Sequence, residues 1–203
     1  VITVDEAMAE GAPLVHEDLL TEGLDSEPTK PSNIAKRNFF EQGDLEAGFA
    51  QADVVFEHEF TTKVVHQGYI EPHSATGWWT ANNKITIWGS SQGHFPIRDR
   101  TSLVLGVPVS AIKVIPMEIG GGFGGKTTIY LEPVAALLSK ITGYPVKITM
   151  SRSEVLEATG PTSGSYMKVK IGATKDGKIT SAQADLKFEA GAYPGSPVGA
   201  ASN

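Results

Sequence analysis

The run Ile119-Gly120-Gly121-Gly122-Phe123-Gly124-Gly125-Lys126-Thr127 constrains this chain more than any other stretch. Glycine loses more backbone freedom on folding than any other residue, so five glycines in six positions mean that side chains there would be in the way. Either φ turns positive repeatedly, or another group comes close to the main chain. The row of N–H groups in such a loop makes a concave donor surface suited to an anion or a metal-bound oxo group. Phe123 is then the one side chain that protrudes. On composition alone a second reading is equally open, in which the glycines only make a tight turn where two layers of backbone meet.

The loop also satisfies the phosphate-binding pattern G-x-x-x-x-G-K-[ST] through Gly120, Gly125, Lys126 and Thr127. In a phosphate cradle the helix starts at the Lys-Ser/Thr pair, so that its N-terminal N–H groups face the ligand. Here Pro133 stands six residues after Thr127. A helix running through it would lose a hydrogen bond and clash with the Ile129 carbonyl, at a cost of about 3 kcal/mol or more. The helix is therefore expected to begin at Pro133, and the phosphate pattern is read as a false match. A P-loop nucleotide-binding domain and a cofactor-free interaction domain are the alternatives of a different class.

The rest of the chain bounds its class. With 23 acidic and 17 basic residues in 203, a net charge of −6 and no run of Lys or Arg, it lacks a surface for nucleic acid or anionic membrane. No apolar run approaches the ~18 residues needed to span a bilayer. There is no cysteine, which excludes disulfides and a cysteine-ligated iron–sulfur cluster in this segment and favours a cytoplasmic home. The five histidines show no metal-site spacing, and no Ser-His-Asp set is visible.

Pattern predicts a strand end over residues 1–4, a short helix over 5–9 capped by Asp5, and a polar, proline-broken stretch over 16–38. A short helix follows over 43–50, then a half-buried strand over 53–62 with alternating residues. Strands over 74–80 and 84–89 flank the turn Ala81-Asn82-Asn83, and a helix over 95–105 is closed by Gly106. A strand over 112–119 enters the glycine loop. Val134, Leu137, Leu138 and Ile141 give a short amphipathic helix over 133–142. A strand over 146–150, a helix capped by Ser151, and a hairpin around Lys175-Asp176-Gly177-Lys178 complete the chain. Helices and strands mix without strict alternation, so the fold class is α+β.

Taken together, Gln67-Gly68-Tyr69-Ile70-Glu71-Pro72-His73, Ile87-Trp88-Gly89-Ser90-Ser91-Gln92, Leu105-Gly106-Val107-Pro108, the glycine loop, Ser151-Arg152-Ser153-Glu154 and Phe188-Glu189-Ala190-Gly191-Ala192-Tyr193 resemble one family. Their order and spacing are those of the molybdopterin-binding large subunit of the xanthine dehydrogenase and aldehyde oxidase family. The resemblance covers roughly residues 40–203. It implies that residues 1–20 are the tail of a preceding small α+β domain, 21–42 a linker, and 43–203 the N-terminal part of the molybdopterin-binding domain.

The resemblance also implies site roles. Gln92 matches a glutamine whose amide donates toward an oxo ligand of molybdenum, and Gly121, Gly122, Phe123 and Gly124 match the loop lying against the cofactor's metal end. Lys126 is implied to be a structural neighbour. The cofactor expected in the intact enzyme is molybdenum-molybdopterin. FAD and [2Fe-2S] centres are expected on partner subunits or other segments, within an oligomeric cytoplasmic oxidoreductase acting on a small molecule. Thr127 stands where purine-oxidising members carry a substrate-orienting glutamate, which argues against purine specificity. No residue here is a convincing general base, so the fragment alone is expected to be inactive.

Overall fold

The computed structural model describes residues 3–21 and 30–192. Strands and helices mix without alternation, an α+β arrangement, and the chain divides into two compact units. One comprises residues 1–64 with 163–203, the other residues 65–162.

The first unit is built on a three-stranded antiparallel sheet in the order β1-β6-β7, where β1 is Val54–Thr62, β6 is Ser165–Ala173 and β7 is Ile179–Phe188. Helix α2 (Leu45–Ala50), capped by the Asp44 side chain, packs on β6 and β7. Gly48 sits so close to Thr180 and Ser181 that a Cβ would lie 2.6 Å from the Thr180 carbonyl oxygen. The expected half-burial of β1 does not occur. Every residue of the strand is exposed, and α2 packs on β6 and β7, away from this edge strand. The alternation survives as chemistry: Glu57 pairs with Lys168 on one face while Phe56 and Phe60 lie on the other. Helix α1 (Val4–Met8) starts earlier than Asp5. Thr3 and Glu6 form a reciprocal capping box that takes Val4 into the helix, so Val4 is not a strand end; residues 1 and 2 lie outside the described residues, as do 22–29 of the expected linker.

The second unit holds a mixed four-stranded sheet in the order β4-β3-β2-β5: β2 Ser74–Trp79, β3 Ile85–Gly89, β4 Ile112–Pro116 and β5 Val146–Thr149. Asn83, at φ 58°, makes the turn between β2 and β3 and accepts from the Trp79 indole N–H at 3.2 Å. Trp79, Ile85, Ile87 and Ile112 form the core with Ala136, while Trp78, one residue away on the opposite face, is 42% exposed. Helix α3 (His94–Leu105) ends at Gly106 in the left-handed conformation, and helix α4 (Glu132–Thr142) has Pro133 in its first turn and Gly143 left-handed at its end. Helix α5 (Arg152–Ala158) starts from a second capping box, Ser151 with Glu154.

Helix α4 lies on the sheet through its small residues. Ala135, Ala136 and Ser139 are buried, and the Ser139 hydroxyl accepts from the Trp79 N–H at 2.9 Å. The apolar stripe Val134, Leu137, Leu138 and Ile141 is on the exposed side. Gly77 decides this, since a Cβ there would lie 2.5 Å from the backbone nitrogen of Ala136. Contact at that distance leaves no room for leucine between helix and strand. Gly77→Ala is therefore expected to lift α4 and lower stability by about 1–3 kcal/mol, read as a lower urea midpoint by tryptophan fluorescence. An unchanged midpoint would contradict the close helix–strand contact.

Candidate functional site

The glycine loop follows β4, and its conformation shows why glycine is needed. Gly121 and Gly124 have φ of 95° and 88°, and Phe123 is left-handed at φ 49° with its ring 73% exposed. A non-glycine residue held there costs of order 1 kcal/mol, so its surroundings must hold it in place. Gly122 and Gly125 are required for a different reason. A Cβ on Gly122 would stand 2.5 Å from Gln92 Oε1, and one on Gly125 would stand 2.7 Å from the Tyr69 ring.

The structure brings Gln92 and residues 121–124 together. The Gly124 and Lys126 N–H groups donate to Gln92 Oε1 at 3.0 and 3.1 Å, while the Gln92 N–H donates to the Lys126 carbonyl at 2.9 Å. Two donors on one oxygen assign the orientation of the amide. The Gln92 NH₂ group then points away from the loop's own donors, on an exposed side chain, and has no protein acceptor among the described residues. The N–H groups of Gly121, Gly122 and Phe123 likewise have none. The site thus offers a cluster of neutral donors from backbone and amide, with open space in front of Gly124.

Lys126 is not among those donors. It is 1% exposed, its Nζ lies 2.6 Å from Glu71 Oε2, and it sits 5.0 Å above the Tyr69 ring. Glu71 Oε2 also accepts the Gly120 N–H at 2.6 Å. Burial opposes the charge on Glu71, but the Lys126 ammonium and the Gly120 N–H overcome it and hold the carboxyl below its usual range. The phosphate reading fails on this geometry: α4 begins at Glu132, not at Lys126, and the lysine is turned inward.

Beneath the loop is a cluster whose role pattern did not reveal. Tyr69, 1% exposed, has its hydroxyl 2.7 Å from His73 Nε2, and His73 stacks edge-on against Tyr130. Arg152 donates to the carbonyls of Tyr69 and Ile70, pinning the segment that carries Glu71. The one sequence signal for this support was the clustering of Tyr69, Glu71 and His73 within a single short run. Burial, aided by Lys126 and His66, pushes His73 down to about 4 from its usual 6.5. A histidine held neutral in the folded state stabilises the fold fully above pH 6.5, and that contribution is lost as pH falls toward 4. The loss amounts to about 3 kcal/mol. Urea midpoints are expected to drop between pH 7 and pH 4.5 in the native chain and to drop less in His73→Gln. Equal slopes for the two would contradict a neutral buried His73.

The chain is similar over most of its length to proteins of one family. Residues 26–202 match the molybdopterin cofactor-binding domain family. The nicotinate dehydrogenase large molybdopterin subunit of Eubacterium barkeri is 30% identical, over 95% of this chain and 42% of its own length. The carbon monoxide dehydrogenase large chain of Afipia carboxidovorans is 32% identical, over 93% of this chain and 24% of its own. Among solved structures, reconstituted CO dehydrogenase from Oligotropha carboxidovorans superposes with a TM-score of 0.64 at 33% identity, covering 91% of this chain and 24% of that one. The chain thus spans less than half the length of these relatives. It belongs to the molybdopterin cofactor-binding domain family, within the xanthine dehydrogenase and aldehyde oxidase group of molybdenum hydroxylases.

Proposed function

We propose that this chain forms the part of a molybdenum hydroxylase's cofactor-binding subunit that supplies outer hydrogen bonds to the metal end of molybdopterin, through Gln92, Gly121, Gly122, Phe123 and Gly124. The observation that carries this is the amide of Gln92, turned by two loop N–H groups so that its NH₂ is left without an acceptor among the described residues, as are the N–H groups of Gly121, Gly122 and Phe123. The residues fit the group. Neutral donors stabilise electron-rich ligands without competing for the metal, and glycine at residue 122 leaves room for the Gln92 amide, which a Cβ there would displace. Bound molybdenum would supply two-electron redox chemistry. The chain's own contribution is orientation: the Gln92 amide and the backbone donors hold the cofactor's polar end, and the Phe123 ring gives the exposed side an apolar wall.

Residues 43–203 then make up the N-terminal part of the molybdopterin-binding domain, with 1–20 as the tail of a preceding domain and 21–42 between them. The relatives are named as subunits or chains of larger enzymes, and the whole activity is assigned to such an assembly. Its substrate is a small molecule of the aldehyde, heterocycle, aromatic or carbon monoxide type. Its electrons pass to iron–sulfur and FAD centres on partner subunits or other segments. Among the described residues no helix is long and apolar enough to cross a membrane, in keeping with a cytoplasmic enzyme.

The intact enzyme purified from its host should contain about one molybdenum per large chain, together with iron. Gln92→Ala should retain metal and fold while turnover falls by the equivalent of about 1–3 kcal/mol, roughly 5- to 150-fold. Active enzyme without molybdenum would overturn the cofactor reading; unchanged turnover would remove Gln92 from it.

A further inference from the structure

A loop of five glycines has little of its own to hold a shape, yet four of its amides have fixed acceptors. Gly124 and Lys126 donate to Gln92 Oε1, Gly125 donates to the Gly122 carbonyl at 2.7 Å, and Gly120 donates to Glu71 Oε2. Glu71 Oε2 receives the Lys126 ammonium as well, so both ends of the glycine run are fastened to one carboxylate oxygen. The segment between them carries the three N–H groups that have no acceptor among the described residues.

We propose that Glu71 and Lys126 are positioning residues, a charged clasp that closes the loop from residue 120 to 126 and turns the Gly121, Gly122 and Phe123 N–H groups outward together with the Gln92 amide. This rests on the role proposed above for the same loop and names what sets its geometry. Lys126 is committed to the clasp by its burial, because an ammonium that is 1% exposed has only the Tyr69 face and Glu71 to replace water. Taking the carboxylate away leaves that charge unpaired, which drives the lysine out of its site and frees the Gly120 end. An ion pair that merely stabilised the unit would have no need to share its acceptor with a backbone donor of the loop.

Hydrogen exchange in the full chain distinguishes the two. In Glu71→Gln, which keeps the side chain's shape but not its charge, and in Lys126→Met, the hydrogen-bonded amides of residues 120, 124, 125 and 126 are expected to exchange about tenfold faster or more, while those of β2 and β3 in the same unit keep their rates. If Lys126→Met does not fold, Glu71→Gln, at a side chain 30% exposed, decides alone. In the loaded enzyme the same variants should alter the molybdenum electron paramagnetic resonance signal and lower kcat with KM little changed. Loop exchange unchanged in Glu71→Gln, or raised equally in β2 and β3, overturns the clasp. Faster loop exchange in an enzyme that is active without molybdenum upholds the clasp and overturns the cofactor role. Molybdenum present with loop exchange unchanged overturns the clasp alone.

Discussion

A lysine ammonium withdrawn from water sets the terms for everything around it. Lys126 is desolvated inside a small unit, and such a charge persists only where geometry supplies a counterion and further contacts. Glu71 supplies the first, and the Tyr69 ring supplies a π-face at 5.0 Å. Both partners come from one short segment, so that segment must be rigid. Its rigidity is borrowed in turn: Arg152 from α5 holds two of its carbonyls, and the buried His73 and Thr159 hold the Tyr69 hydroxyl. Chain segments far apart in sequence are thus committed to a single arrangement by one cation.

The glycine loop is the other side of that arrangement. Its residues contribute almost no side-chain contact, and Phe123 is held in a conformation that a free chain would seldom visit. Order is therefore imported from Gln92, Ser91 and Glu71, whose side chains accept or donate to the loop's main chain. A donor surface built from backbone has an advantage for an electron-rich ligand. It is fixed before the ligand arrives and carries no charge that shifts with pH.

Much of this was legible in the residues, and the exceptions share a cause. The strands, turns and helix stops declared themselves because Asn83, Gly106, Gly143 and the caps at Asp44 and Ser151 act locally. Gln92 and the loop were visible as a motif, but which atom of the amide faced the loop was not, since that depends on two N–H groups more than thirty residues away. Lys126 could be placed as a neighbour of the site but not as the partner of Glu71, because no periodicity links residues 71 and 126. Periodicity also misjudged burial. It located α4 and β1 correctly, yet which face of each is covered depends on what stands opposite, and at α4 that was settled by a missing side chain on Gly77.

The outward stripe of α4 has a consequence for how the molecule behaves in water. Val134, Leu137, Leu138 and Ile141 stay 39–71% exposed, and each forgoes a corresponding part of the roughly 1.5–3 kcal/mol that full burial of such a side chain contributes. On its α4 side the sheet of the second unit is met by alanines and a serine, so its stability rests more heavily on Trp79, Ile85, Ile87 and Ile112. The same stripe adds to the apolar surface this chain offers for association, and attraction through such surface grows with salts that strengthen apolar contact while the fold itself is intact.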